Sequence, residues 1–165
     1  MNTSIIVQVM NRKELEQLKS IPAGTKIIAI SDFGQELPNI DINVKANAQG
    51  ILFTRFNDVD ANEMHSITPE QAQLIKEFIE NNIDSTANII VSCTGGVSRS
   101  PGVQAAIKIW LGQDDLDVWN DGSKCPNIYV FEKMLDELLG DKSENIDIRY
   151  REDINIKAWK EFNDI

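Results

Sequence analysis

The sequence predicts an α/β fold, a central mostly parallel sheet flanked by helices, and three observations carry that prediction. Short β-branched apolar runs alternate with helix-period segments along the chain, the pattern of a layered α/β architecture. No repeat, low-complexity tract or linker interrupts the alternation, so one domain over residues 1–165 is expected. One apolar run, Asn88–Ser92, is bounded by polar residues as a central strand would be, and a glycine-bearing loop follows it.

The expected strands are Ile5–Val9, Lys26–Ser31, Val44–Ala46 (the weakest), Ile51–Phe56 and Asn88–Ser92. Helices follow from caps and period. Asn11 with Glu14 forms a capping pair for a helix over Arg12–Lys19. Thr68-Pro69-Glu70-Gln71 supplies an N-cap, a proline at the first helical position and a reciprocal glutamine for a helix reaching about Asn81. Val103, Ala106, Ile107, Trp110 and Leu111 recur at helical spacing ahead of Gly112. Ile128, Phe131, Leu135 and Leu138 do the same between Pro126 and Gly140, and a short last helix is expected over Ile154–Phe162.

Composition narrows the function. A net charge of −10 repels phosphate backbones, which disfavours generic nucleic-acid binding and anionic membrane surfaces as partners. Any anionic substrate must therefore meet a local positive site. The first residues lack the basic head and long apolar body of a secretory signal, and no run approaches the roughly 20 apolar residues that span a bilayer. Cytoplasmic residence is the resulting expectation. Cys93 and Cys125 form no Cys-x-x-Cys pair, so neither a metal knuckle nor a disulfide framework is indicated.

The chemistry concentrates after the central strand, in Ser92-Cys93-Thr94-Gly95-Gly96-Val97-Ser98-Arg99-Ser100. A strand ending in a glycine-bearing loop that opens a helix presents backbone N–H groups and a positive dipole end at one point, which makes an anion site. A cysteine at the start of such a loop has its thiolate favoured by the same donors. The loop amides from Thr94 through Gly95, Gly96, Val97 and Ser98 to Arg99 can hold phosphoryl oxygens, and the planar guanidinium of Arg99 can grip two of them. A cation is otherwise misplaced at a helix start, so an anion between Arg99 and the helix end accounts for it better.

Cysteine, five residues, arginine and a hydroxyl residue resembles the signature loop of the cysteine-based protein-tyrosine phosphatase superfamily. More closely, the chain resembles its compact bacterial and phage members related to the dual-specificity enzymes. There an aromatic-rich strand ends in Asn-Asp, the signature loop follows, and Pro-Asn opens a later helix. Here the matching residues are Phe53-Thr54-Arg55-Phe56-Asn57-Asp58, the loop, and Pro126-Asn127 with Leu138-Leu139-Gly140.

The resemblance implies phosphomonoester hydrolysis through a cysteinyl phosphate, without metal or cofactor, on a phosphorylated protein or another phosphomonoester. It makes Cys93 the nucleophile, Arg99 the phosphate clamp, Ser100 the hydroxyl that bonds the thiolate, and an aspartate the general acid–base. Asp58 matches the family's Asn-Asp pair, with Asp60 two residues on as the alternative and Glu63 on the same loop. One position departs from the family, because Ser92 stands where histidine usually precedes the cysteine.

Two readings compete with the phosphatase. One is a catalytically weak or dead phosphopeptide-binding module, motivated by Ser92; the other is a different cysteine-loop enzyme, a sulfur transferase or an arsenate reductase. His65 is expected in a solvent-facing loop, Cys125 at a helix start as a small apolar residue, and Trp119, in a polar stretch without an evident face, lining the pocket or contacting a partner.

Overall fold

In the computed structural model, which describes residues 4–165, an α/β core is built on a four-stranded sheet with every neighbouring pair parallel. The elements run β1 (Ile6–Asn11), α1 (Arg12–Gln17), β2 (Thr25–Ser31), α2 (Ile42–Asn47), β3 (Ile51–Arg55), α3 (Pro69–Glu80), β4 (Asn88–Cys93), α4 (Arg99–Trp110), α5 (Leu116–Trp119), α6 (Ile128–Leu139) and α7 (Ile148–Phe162). The sheet order is β1-β4-β2-β3, so β4 is interior, as its apolar composition predicts.

Alternation along the strands sends side chains to two cores. Val7, Ile28, Ile30, Ile89, Val91 and Cys93 join the larger one with α3, α4 and α6, while Ile27, Ala29 and Ile90 face the smaller one with Leu15, Ile40 and Val44. Helix α4 sets Val103, Ala106 and Ile107 into the larger core without exposure. Burying a side chain of the valine or isoleucine class in this way stabilises by about 1.5–3 kcal/mol.

Local signals hold at both capping boxes. Asn11 accepts from Glu14 N–H at 2.7 Å while Glu14 Oε1 accepts from Asn11 N–H at 3.0 Å; Thr68 and Gln71 exchange the same pair of bonds. The first helix stops at Gln17, short of the expected Lys19.

The structure overturns one strand. The expected strand Val44–Ala46 lies inside α2, where Asp41 caps Asn43 N–H at 2.8 Å and Val44 is the buried residue. Ile40 and Val44, four residues apart, both reach the smaller core, which is helical rather than extended spacing. The last helix also begins earlier than expected, at Ile148, because Asp147 accepts from Tyr150 N–H and caps it.

Trp119 is fully buried on α5, edge-on to Phe131 at 4.9 Å, with its indole N–H on Asp115. Asp115 also takes two bonds from Arg151, which ties α7 to the body of the fold. No helix among the described residues is long and apolar enough to cross a membrane.

Candidate active site

The signature loop joins β4 to α4 at the carboxyl end of the sheet, where parallel sheets place ligands. Its carbonyls are drawn outward. Thr94 O accepts from Arg12 N–H at 3.3 Å, Gly96 O from Lys124 Nζ at 2.9 Å, Val97 O from Cys125 N–H at 2.9 Å and Ser98 O from Asn127 N–H at 2.9 Å. In a planar trans peptide the following N–H points opposite to the carbonyl. The amides of Gly95, Val97, Ser98 and Arg99 therefore point away from those partners, at the positive end of α4.

Of the two loop glycines only Gly96 is demanded by geometry. It has φ +64°, and a Cβ there would lie 2.8 Å from Asn11 N and 3.0 Å from Met10 C, whereas Gly95 has open space around it. The loop therefore closes against the end of β1.

Cys93 is buried at the end of β4. Its Sγ lies 3.1 Å from Ser100 Oγ and accepts from Ser100 N–H at 3.4 Å, both on the first turn of α4. Ser92 is also buried, in register with Met10 and Ala29 on the neighbouring strands.

Arg99 is buried to all but 5% of its surface, and its donors can be counted. Nη1 donates to Phe56 O at 2.8 Å and pairs with Asp32 Oδ1 at 2.7 Å, which uses both of its hydrogens. Nη2 gives one hydrogen to Thr94 Oγ1 at 3.3 Å. The Nε–H and the second Nη2 hydrogen remain, and that edge of the guanidinium is the one suited to two oxygens of a single anion.

Asp58 is brought to the same place from the far edge of the sheet. Although β3 is separated from β4 by β2, Asp58 Oδ1 accepts from Ser98 Oγ at 2.7 Å and from Asn127 Nδ2 at 2.8 Å. Asp60 and Glu63 line the open cleft alongside it with Cys125 and Pro126. Of the three carboxylates, Asp58 is the one bonded to the signature loop.

Two site residues carry roles that the sequence does not display. Asp32, just after β2, is the carboxylate that holds Arg99; its position at the carboxyl end of an apolar strand was the available signal. Asn127, expected only to open a helix with Pro126, caps α6 through Val130 N–H, holds Asp58, and donates to Val59 O at 2.9 Å.

Three minor residues sit differently from expectation. Cys125 is exposed rather than apolar-packed, with its backbone N–H on the signature loop. His65 is half-buried and stacked on Phe33 instead of facing solvent alone. Trp119 is core.

No known family model matches this sequence. No curated protein matches it at a significant level. Among solved structures, the chain is similar to one described as Tk-PTP in the active form, with a TM-score of 0.42 and 20% identity over 75% of this chain and 80% of that one. Similarity at that level says nothing about chemistry, which rests on the geometry of the loop itself.

Proposed function

We propose that the chain is a cysteine-dependent phosphomonoester hydrolase of the protein-tyrosine or dual-specificity type, acting as one catalytic domain on phosphorylated protein. The observation that carries this reading is Cys93 Sγ held at 3.1 Å by Ser100 Oγ, at the mouth of a loop that opens α4 and whose Arg99 keeps one edge free. An inert buried thiol needs none of these features.

In the proposed reaction Cys93 thiolate attacks phosphorus in line with the leaving oxygen. The loop amides and the free edge of Arg99 hold the three non-bridging oxygens. As the S–P bond forms, the P–O bond breaks, its electron pair goes to the leaving oxygen, and Asp58 supplies the proton there. Asp58, now a carboxylate, then takes a proton from a water that attacks the phosphocysteine. The S–P bond breaks, inorganic phosphate leaves, and the thiolate returns stabilised by Ser100 Oγ–H.

The contacts of Asp58 suit both halves. Ser98 Oγ and Asn127 Nδ2 both bond Oδ1, so neither contact uses Oδ2, which can carry the proton. Replacing Cys93 by serine should remove turnover while the chain still binds a phosphotyrosine peptide, because the amides and Arg99 remain. Hydrolysis within about tenfold of wild type by Cys93→Ser refutes the nucleophile. A wild-type chain that binds the peptide but never turns it over would instead identify a phosphopeptide-binding module.

A further inference from the structure

An open cleft of about 570 Å³ is bounded by the start of α3, the first turns of α6 and residues at and beyond the ends of β2 and β3. Its lining includes the cations Arg55 and Lys133 and the imidazole of His65 against one carboxylate, Glu63. In a chain with net charge −10 this is a local reversal of sign. Such a reversal raises the local concentration of anions that the rest of the surface repels.

Both cations are held in place. Arg55 Nε donates to Gln35 O at 3.1 Å, and Lys133 Nζ stands 5.2 Å from the centre of the Tyr129 ring. Phe33, 61% exposed, stacks on His65 with ring centres 3.7 Å apart. His65 has φ 66°, a conformation that costs a non-glycine residue energy and persists only where its surroundings impose it. Its carbonyl accepts from Asn57 N–H at 2.7 Å.

Two residues tie this cleft to the signature loop. Gln35 receives Arg55 on its carbonyl, and its Oε1 accepts from Thr94 Oγ1 of the loop at 3.4 Å. Asn57, which precedes Asp58, accepts Phe33 N–H on Oδ1 at 2.8 Å while bonding His65. The cleft and the loop thus share a scaffold, with Gln35 bonded to a residue of each.

We propose that the cleft is a subsite for a second anionic group on the substrate, namely acidic side chains that flank the phosphorylated residue of a peptide. The volume exceeds the needs of one compact anion. Two separate cations, with Phe33, Ile67, Pro69 and Tyr129 between and around them, suit a short acidic peptide segment. The inference rests on the phosphatase reading, whose substrate it narrows.

The test uses two phosphotyrosine peptides that differ only in carrying glutamate or glutamine on either side of the phosphotyrosine. Wild type should favour the glutamate peptide about tenfold in kcat/KM, carried by KM, as fits two partly exposed ion pairs, and added salt should shrink the preference. Arg55→Gln combined with Lys133→Gln should bring it below about twofold, an effect of losing those same ion pairs, and should leave p-nitrophenyl phosphate turnover unchanged. A wild type that does not discriminate, or a double variant that still does, overturns the proposal. If wild type hydrolyses neither peptide nor p-nitrophenyl phosphate, the phosphatase reading fails separately. The affinities of the two peptides, read by fluorescence anisotropy, then decide the subsite: tighter binding of the glutamate peptide to wild type alone sustains it, and equal affinities overturn it.

Discussion

Replacing Asp58 by asparagine removes the proposed proton donor while leaving its scaffold nearly intact, so it separates chemistry from stability. Both contacts of Asp58 are accepted by Oδ1, from Ser98 Oγ at 2.7 Å and Asn127 Nδ2 at 2.8 Å, and an asparagine Oδ1 can accept both. Losing the carboxylate charge weakens such bonds, at a cost of about 1 kcal/mol in stability. Losing general acid catalysis costs roughly 10²–10⁴ in rate. That range is about 2.7–5.4 kcal/mol of transition-state stabilisation, well above the structural cost. Steady-state kinetics with phosphotyrosine peptide should show this loss in Asp58→Asn with a nearly unchanged melting temperature. An activated aryl phosphate, whose leaving group needs no proton, should lose far less. If Asp60→Asn shows the large, leaving-group-dependent loss and Asp58→Asn does not, the acid is Asp60. If neither shows it, the general-acid step is wrong.

Three further outcomes follow from other contacts. Ser100→Ala removes the 3.1 Å contact to Cys93 Sγ and should slow phosphocysteine hydrolysis about tenfold or more, producing a burst of leaving group in stopped-flow traces; an unchanged steady state with no burst refutes the role of Ser100. Asp32→Ala frees Arg99 Nη1 from its 2.7 Å partner and should weaken vanadate binding and kcat/KM by about tenfold without changing leaving-group dependence; tighter vanadate binding with full activity would show that Asp32 opposes the anion rather than aligning the clamp. Arg151, whose guanidinium is raised above its ordinary pKa chiefly by its hydrogen bonds to buried Asp115, anchors α7. Arg151→Met leaves that carboxylate without its cation at a cost of about 3 kcal/mol, so melting should fall by roughly 6–12 °C, and a fall under about 2 °C refutes the anchoring.

What could be read from the sequence was local. The capping boxes at Asn11 and Thr68, the glycine stops and the apolar period of α4 and α6 depend on residues three or four apart, and each element formed where these signals stood. The signature loop was legible for the same reason, since Cys93, Gly96, Arg99 and Ser100 lie within one strand-to-helix turn. Val44–Ala46 misled because a short apolar run has no period of its own, and the side-chain cap from Asp41 decided for helix. Long-range contacts could not be read. Asn127 meets Asp58 across 69 positions, and Asp32 reaches Arg99 only because β2 and β4 are adjacent in the sheet. Trp119 gave no stripe to read, since it stands on a one-turn helix, packed edge-on to Phe131 of α6 and bonded to Asp115 at the start of its own helix.

The proposed reaction stands or falls on a covalent phosphocysteine at Cys93. Acid-quenching the Asp58→Asn or Ser100→Ala chain during turnover of a phosphotyrosine peptide, followed by peptide mass spectrometry under conditions that preserve thiophosphates, tests it directly. A phosphoryl group on the peptide containing Cys93, absent when Cys93 is serine, is the predicted result. Sustained turnover with the phosphoryl group on another residue, or on none at any quench time, contradicts it.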